Sequence, residues 1–350
     1  MKKNIDSRII KIISFFLLFV MTAQLFYGCQ FRGDDTFSLP SRILKNADEV
    51  LSFGSYSYMV YDDDTIILTE YRGTESSVII PNEIEGKKVV ELAALLFVSN
   101  DYLTSIIIGD NIEIIGNYAF FCCIELTQVS MGKNVWYIGA AAFDETPWYT
   151  SQTDEYVIVG DGVLVKYNGD SKSITFPDSI KHLSTAFYGN TNIVSVILSD
   201  ELLTIGDYAF ANCENLSYIK LSNNLLYIGN YAFEKCLLLS LLDVPDKCEE
   251  IGDYAYNACY SLSTVHIGNS VNSIGKYAFN SCFRISSFSL PVSLTTVGLY
   301  AFYGCTAVIV IFYSGDETQF QNLNLDETNY VLRDSPKIYG ITGGGHETEK

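Results

Sequence analysis

Six of the nine cysteines in this 350-residue chain, Cys123, Cys213, Cys236, Cys259, Cys282 and Cys305, occupy one slot of a recurring phrase. From Cys213 onward they return every 23 residues. Regularly spaced thiols suggest disulfides or metal binding. A disulfide needs Cβ atoms ~3.5–4.5 Å apart. Residues repeated once per layer of a stacked fold stand near the ~4.8 Å spacing of neighbouring strands. The column therefore reads as small buried thiols, with Cys122 and Cys248 outside it as the free thiols to follow. The only histidines are His182, His266 and His346, and none has ligand spacing with the cysteines, so no metal is expected. There is no Gly-x-Ser-x-Gly elbow or His-Glu-x-x-His helix, and "GNSVNSIGK" at 268–276 has the wrong spacing for a phosphate loop. Carboxylates are plentiful, but a catalytic pair needs a pocket that shifts one of the two, and nothing here points to one. The residues predict a protein without catalytic chemistry or a cofactor.

The elements that carry these cysteines are written into the phrase itself. "IGDYAFANC" at 205–213 returns as "IGNYAFEKC", "IGDYAYNAC", "IGKYAFNSC" and "VGLYAFYGC". Three residues past each cysteine begins L-x-x-I-x-L, as in Leu216, Ile219 and Leu221. Its last two apolar residues are two apart, which is strand periodicity with both on one face. A second short extended segment, such as Leu226 to Ile228, precedes the glycine. Ala232, Phe233 and Cys236 then have the spacing of one or two helical turns with a buried side. A period of 20–50 residues means stacked units sharing one core. Degenerate copies at 115–123, 138–146 and 183–190, and a weaker one at 91–100, bring the expected total to about nine rungs.

This phrase resembles the BspA-type leucine-rich repeat of bacterial surface proteins, an Ile-Gly-x-x-Ala-Phe-x-x-Cys unit, over about residues 56–313. The resemblance implies a β-rich α/β solenoid, a right-handed leucine-rich-repeat superhelix with an N-terminal β cap. The expected organisation is a leader at 1–28, a tether at 29–52, a cap at 53–92, a solenoid at 93–313 with an irregular insertion at 144–182, and a C-terminal cap with a polar tail at 314–350. Within the insertion, "VIVGDGVLV" reads as a hairpin. Insertions in solenoids project from one side and often bind, so two readings stand: an irregular rung that bends the stack, or a binding element. Trp148 and Tyr149 are its exposed-aromatic candidates or, equally, the cap of a local cluster.

The formal charge is −19. That excludes nucleic acid, which requires Lys and Arg to displace condensed counterions, and it disfavours anionic headgroups. Any membrane contact should come from an anchor. Lys2, Lys3, Arg8 and Lys11 precede an apolar run from Ile12 to Leu25, which is the layout of a secretion signal and short for a spanning helix. With Gly28 and Cys29 it resembles a bacterial lipoprotein signal, implying Cys29 as the lipid-bearing residue. The expected location is the outer face of the cell envelope, with secretion as the alternative. Arg32 to Asp34 resembles an integrin-binding tripeptide, but it stands three residues past Cys29, where a bilayer would obstruct a receptor, and is read as chance.

Outward strand slots hold whatever function exists. They include Tyr218, Lys220, Leu241, Asp243, Thr264, His266 and Phe312, read as lining one continuous sheet on the face where leucine-rich repeats commonly hold partners. A second outward column, from Tyr118 and Tyr208 to Tyr300, repeats and reads as packing. The resemblance implies adhesion by a monomer to a host or bacterial surface protein or glycan. The competing reading is an envelope scaffold without its own ligand.

Overall fold

The computed structural model describes residues 42–340; the leader, Cys29 and the end of the polar tail lie outside them. Within the described residues the L-x-x-I-x-L segments form three- and four-residue strands in parallel register, for example Val196 beside Ile219 and Val265 beside Phe288. In most of them the middle residue is buried and its neighbours are exposed or half-exposed. The segments before the glycine form a second parallel ladder of two-residue strands, such as Tyr227–Ile228 beside Glu250–Ile251. The result is a leucine-rich-repeat solenoid of about twelve turns, against the nine expected. The additional rungs lack the phrase but still pair: Ser77–Ile79 in the cap, Ser173–Thr175 in the insertion and Lys337–Tyr339 in the closing segment.

Between the two ladders the chain was expected to form helical turns, and it does not. Two residues per rung take the left-handed conformation, the tyrosine (Tyr231, φ 56°) and the residue before the cysteine (Lys235, φ 56°). Each such residue costs on the order of 1–2 kcal/mol when it is not glycine. The twist turns backbone N–H groups along the stack instead of back up a helix. Tyr231 donates to Asp253 O (2.8 Å), Phe233 to Ala255 O (2.7 Å) and Lys235 to Asn257 O (2.8 Å). Three inter-rung hydrogen bonds offset the strain, and periodicity alone cannot show them. The glycine before this turn is needed for close approach: a Cβ at Gly229 would stand 2.5 Å from the carbonyl carbon of Gly206.

Phenylalanines stack in the core, with Phe187, Phe210, Phe233, Tyr256, Phe279 and Phe302 at centroid spacings of 5.0–5.3 Å. Each column cysteine is a free buried thiol whose S–H donates to the aromatic residue's carbonyl one rung earlier, as from Cys236 to Phe210 O at 3.3 Å.

The core is not one. One buried cluster runs from Tyr58 to Val165 and a second from Leu164 to Leu332. They meet at the irregular rung, where the expected hairpin forms from Tyr156–Val159 and Val163–Tyr167. Its first strand takes the edge position that the preceding rung would occupy, and neither ladder carries a strand pairing across this point. The first aromatic stack ends there, Phe143 against Trp148 at 4.8 Å, and the second begins with Tyr156 and Tyr167.

At the N-terminal end, the described part of the stretch read as tether, from residue 42, packs on the cap. Leu44 bridges to Tyr61, Arg42 pairs with Asp63 and Glu113 at 3.0 Å each, and Leu51–Phe53 adds an antiparallel strand to Tyr56–Val60. At the other end helices Glu317–Gln321 and Tyr330–Asp334 close the core. Lys337 occupies an inward register position of the last strand, with Nζ on the carbonyls of Arg333 and Ser335. A cation so placed discourages further strand pairing.

Candidate functional site

The front ladder presents two outward columns. One runs Ser77, Ser105, Gln128, Ser173, Ser195, Tyr218, Leu241, Thr264, Ser287 and Val310; the other runs Ile79, Ile107, Ser130, Thr175, Ile197, Lys220, Asp243, His266, Ser289 and Phe312. Up to Ile197 these slots carry no charge. Lys220, Asp243 and His266 follow one another in the second column. Small side chains in the first column pair across rungs, Ser105 with Ser77 at 2.8 Å and Ser195 with Ser173 at 2.9 Å.

Of the residues singled out from sequence, Tyr218, Lys220, Leu241, Asp243 and Thr264 are exposed, while His266 and Phe312 are half-buried. Tyr218 and Leu241 are 45% and 44% exposed and stand in neighbouring rungs, with exposed Ile197 in the rung before them. Trp148 does not join them. It is 9% exposed and packed on Phe143, and Tyr149 turns its hydroxyl to Val165 O (3.3 Å) with Lys166 Nζ over its ring. Both cap a local cluster because the hairpin folds over them.

The face is also not one continuous sheet. It comprises three hydrogen-bonded sheets of three, three and five strands, divided at the irregular rung and again between Tyr218–Lys220 and Leu241–Asp243. The second ladder stays paired behind that second break. Sequence reasoning missed two outward pairs, Ser77 with Ile79 and Ser173 with Thr175; the alternation of "SVII" inside the cap was the signal for the first and that of "SITF" for the second.

Elsewhere the outward columns are engaged with one another. Tyr208, Tyr231, Tyr254, Tyr277 and Tyr300 stack at 4.6–5.0 Å with ring planes within 19°. Tyr118 is separated from them because Ala141 fills the slot in the next rung, and its ring meets Phe121 edge-on instead. Beside the stack, Asp207, Asn230 and Asp253 each accept the backbone N–H one rung later, at 2.6–2.8 Å.

The most strongly shifted ionisable groups lie off the front columns and owe their shifts mainly to burial. His182 is held down to about 4 by desolvation, with Nδ1 2.9 Å from Thr204 Oγ1. Desolvation pushes Cys248 and Cys213 up to about 12. Cys248 is fully buried and Cys122 half-buried, so among the described cysteines Cys122 alone is not buried.

The chain is similar to a leucine-rich cell surface protein from Faecalibacterium prausnitzii A2-165, 19% identical over 81% of this chain and 99% of that one, TM-score 0.40. It is similar to the leucine-rich repeat protein TpLRR of T. pallidum, 20% identical over 74% and 91%, TM-score 0.30. It is also similar to the pneumococcal vaccine antigen PcpA, 16% identical over 87% and 100%, TM-score 0.40. Comparison with curated proteins returned no match. The family model of the BspA type leucine-rich repeat region matches six copies, over residues 91–185 and 181–309, more than half of the chain. The chain belongs to the BspA-type leucine-rich-repeat family.

Proposed function

We propose that this protein is an exported, surface-displayed binding module that takes a protein or glycan partner on its front strand face, as a monomer anchored through lipid on Cys29. One observation carries the reading: inner slots repeat from rung to rung, whereas from Tyr218 onward each outward slot holds a different residue in every rung, and these slots are exposed around Tyr218 to Asp243. A scaffold that only stacks gains nothing from such variation. The apolar pair Tyr218 and Leu241 beside Lys220 and Asp243 supplies the mixture of anchor and charge that interfaces use at their centre and rim.

Arrays of bacterial and host surface proteins and glycans, probed with the purified chain and with its Lys220→Glu and Asp243→Lys variants, test this reading. Binding that either charge reversal weakens at least tenfold supports it; no binding, or binding indifferent to both, removes it. Metabolic lipid labelling tests the anchor separately, and label that survives Cys29→Ala removes that part.

A further inference from the structure

The turn side of the last rungs carries a second surface, chemically unlike the strand face. Exposed aromatic rings are concentrated there: Tyr260 (46% exposed), Phe283 (49%), Tyr303 (48%) and Tyr330 (37%) are half of the eight aromatic residues most open to solvent among the described residues. Tyr260 and Phe283 occupy the same slot in successive rungs, with centroids 5.5 Å apart and planes 24° apart. Tyr303 stands in the following rung in a different slot, its ring edge-on to Tyr300 at 5.6 Å: Ser281 N–H donates to Tyr303 O (2.7 Å), and Gly304 lies against Phe283, where a Cβ would stand 3.6 Å from the ring. With glycine there, no side chain covers Phe283 from that residue. Tyr303 also meets Tyr330 edge-on at 6.2 Å.

An amide is set beside these rings. Glu234, Asn257, Asn280 and Tyr303 fill one slot in four successive rungs. Asn257 Nδ2 donates to Glu234 Oε1 (3.1 Å) and Asn280 Nδ2 to Asn257 Oδ1 (2.7 Å). The buried Glu234 thereby orients the whole line, and half-exposed Asn280 at its end keeps its amide oxygen for an outside donor.

We infer that this surface is a carbohydrate-binding site for a neutral oligosaccharide laid along the stack axis. Sugar rings have apolar C–H faces that pack on exposed aromatic rings and hydroxyls that need oriented amides. A protein hot spot would instead sit in a desolvated pocket, whereas Tyr260 and Phe283 stand open to solvent in line along the stack axis. A net charge of −19 repels sialylated or sulfated chains, which narrows the ligand to uncharged sugars. The strand face plays no part in this site, so the two assignments succeed or fail separately.

The test is calorimetric titration of the purified chain with cellohexaose, mannohexaose and a heparin-derived hexasaccharide, repeated on Phe283→Ser, Tyr303→Ser and Leu241→Asp. The expected result is binding of a neutral hexasaccharide that Phe283→Ser or Tyr303→Ser weakens at least tenfold, that Leu241→Asp leaves unchanged, and that heparin fragments do not reproduce. All four aromatic side chains are substantially exposed, so melting temperatures should be unaltered; the comparison is made on variants that meet that condition, Tyr260→Ser replacing any that does not. Absence of neutral-sugar binding, preference for the acidic hexasaccharide, or loss only in Leu241→Asp overturns the assignment. Capture of a protein on this surface, lost in Phe283→Ser, overturns it in favour of a protein site.

Discussion

The segments on either side of the irregular rung have separate interiors built in the same way and differ outside them. In both, phenylalanines stack and cysteine thiols donate to the aromatic residue's carbonyl, Cys123 to Phe97 O and Cys213 to Phe187 O at 3.0 Å each. Only the second segment carries the five-tyrosine stack and the unbroken Asp/Asn column. In the first, Asn117 still accepts from Ala140 N, but Ala140 and Ala141 then fill the Asp/Asn and tyrosine slots, and each column stops. The interior of a rung functions wherever one rung meets another, whereas an outer column needs consecutive copies. The first segment is braced by its cap instead: Tyr61 donates to the buried carboxylate of Glu91 at 2.6 Å, and Arg42 spans Asp63 and Glu113.

The largest expected effect tests whether these are two cores. Phe120→Ala and Phe233→Ala should each cost about 3–5 kcal/mol, the usual loss for emptying a buried phenylalanine site. Hydrogen exchange should show each loss confined to its own segment; protection falling equally in both would mean that they unfold as one.

The join itself should respond to pH. His182 belongs to the second segment, and its ring packs 5.5 Å from that of Trp136 in the first, with Asp161 and Lys181 as its charged neighbours. Its folded value of about 4 lies below the ordinary 6.5. The unfolded chain therefore binds the extra proton between those values, and stability present above pH 6.5 is lost as pH falls towards 4. The loss is at most roughly 3 kcal/mol. Urea titrations from pH 7 to pH 4 should show a steeper decline for the parent than for His182→Leu; parallel curves would remove His182 from the join.

Gly229→Ala should cost about 1–3 kcal/mol, because the added methyl meets backbone that cannot move aside; an unchanged urea midpoint would show that the rungs can separate. The smallest change should be a gain. Tyr256 stands in the phenylalanine column with its hydroxyl buried and unpartnered, close to Cys248, which fills a slot held by Leu225 in the rung before. Removing an unsatisfied buried hydroxyl recovers about 1 kcal/mol, so Tyr256→Phe should raise the melting temperature, and Tyr256→Phe with Cys248→Leu should raise it further. A lower value in the single variant would mean that the hydroxyl has a partner in solution.

Much of this was legible in the chain. The strands, the buried Phe column, the unbridged thiols and the packed tyrosines all follow from period and residue type. The turns were misread as helical because Ala232, Phe233 and Cys236 have helical spacing, whereas the left-handed angles at Tyr231 and Lys235 answer to carbonyls in the next rung. Trp148 stood as an exposure candidate because nothing local shows that the hairpin covers it. Of the front columns, the outward residues of the repeat-bearing rungs were readable, but not Ser77, Ile79, Ser173 and Thr175, nor the break beside Lys220.

Residue types repeated at a fixed period determined by themselves which side chains point inward, because every rung must fit its neighbour. How many rungs pair, where the ladder opens, and that the interior divides in two were decided only by the tertiary structure. These features depend on whether backbone groups far apart in sequence come within hydrogen-bonding distance, and a single hairpin strand in the edge position is enough to prevent it.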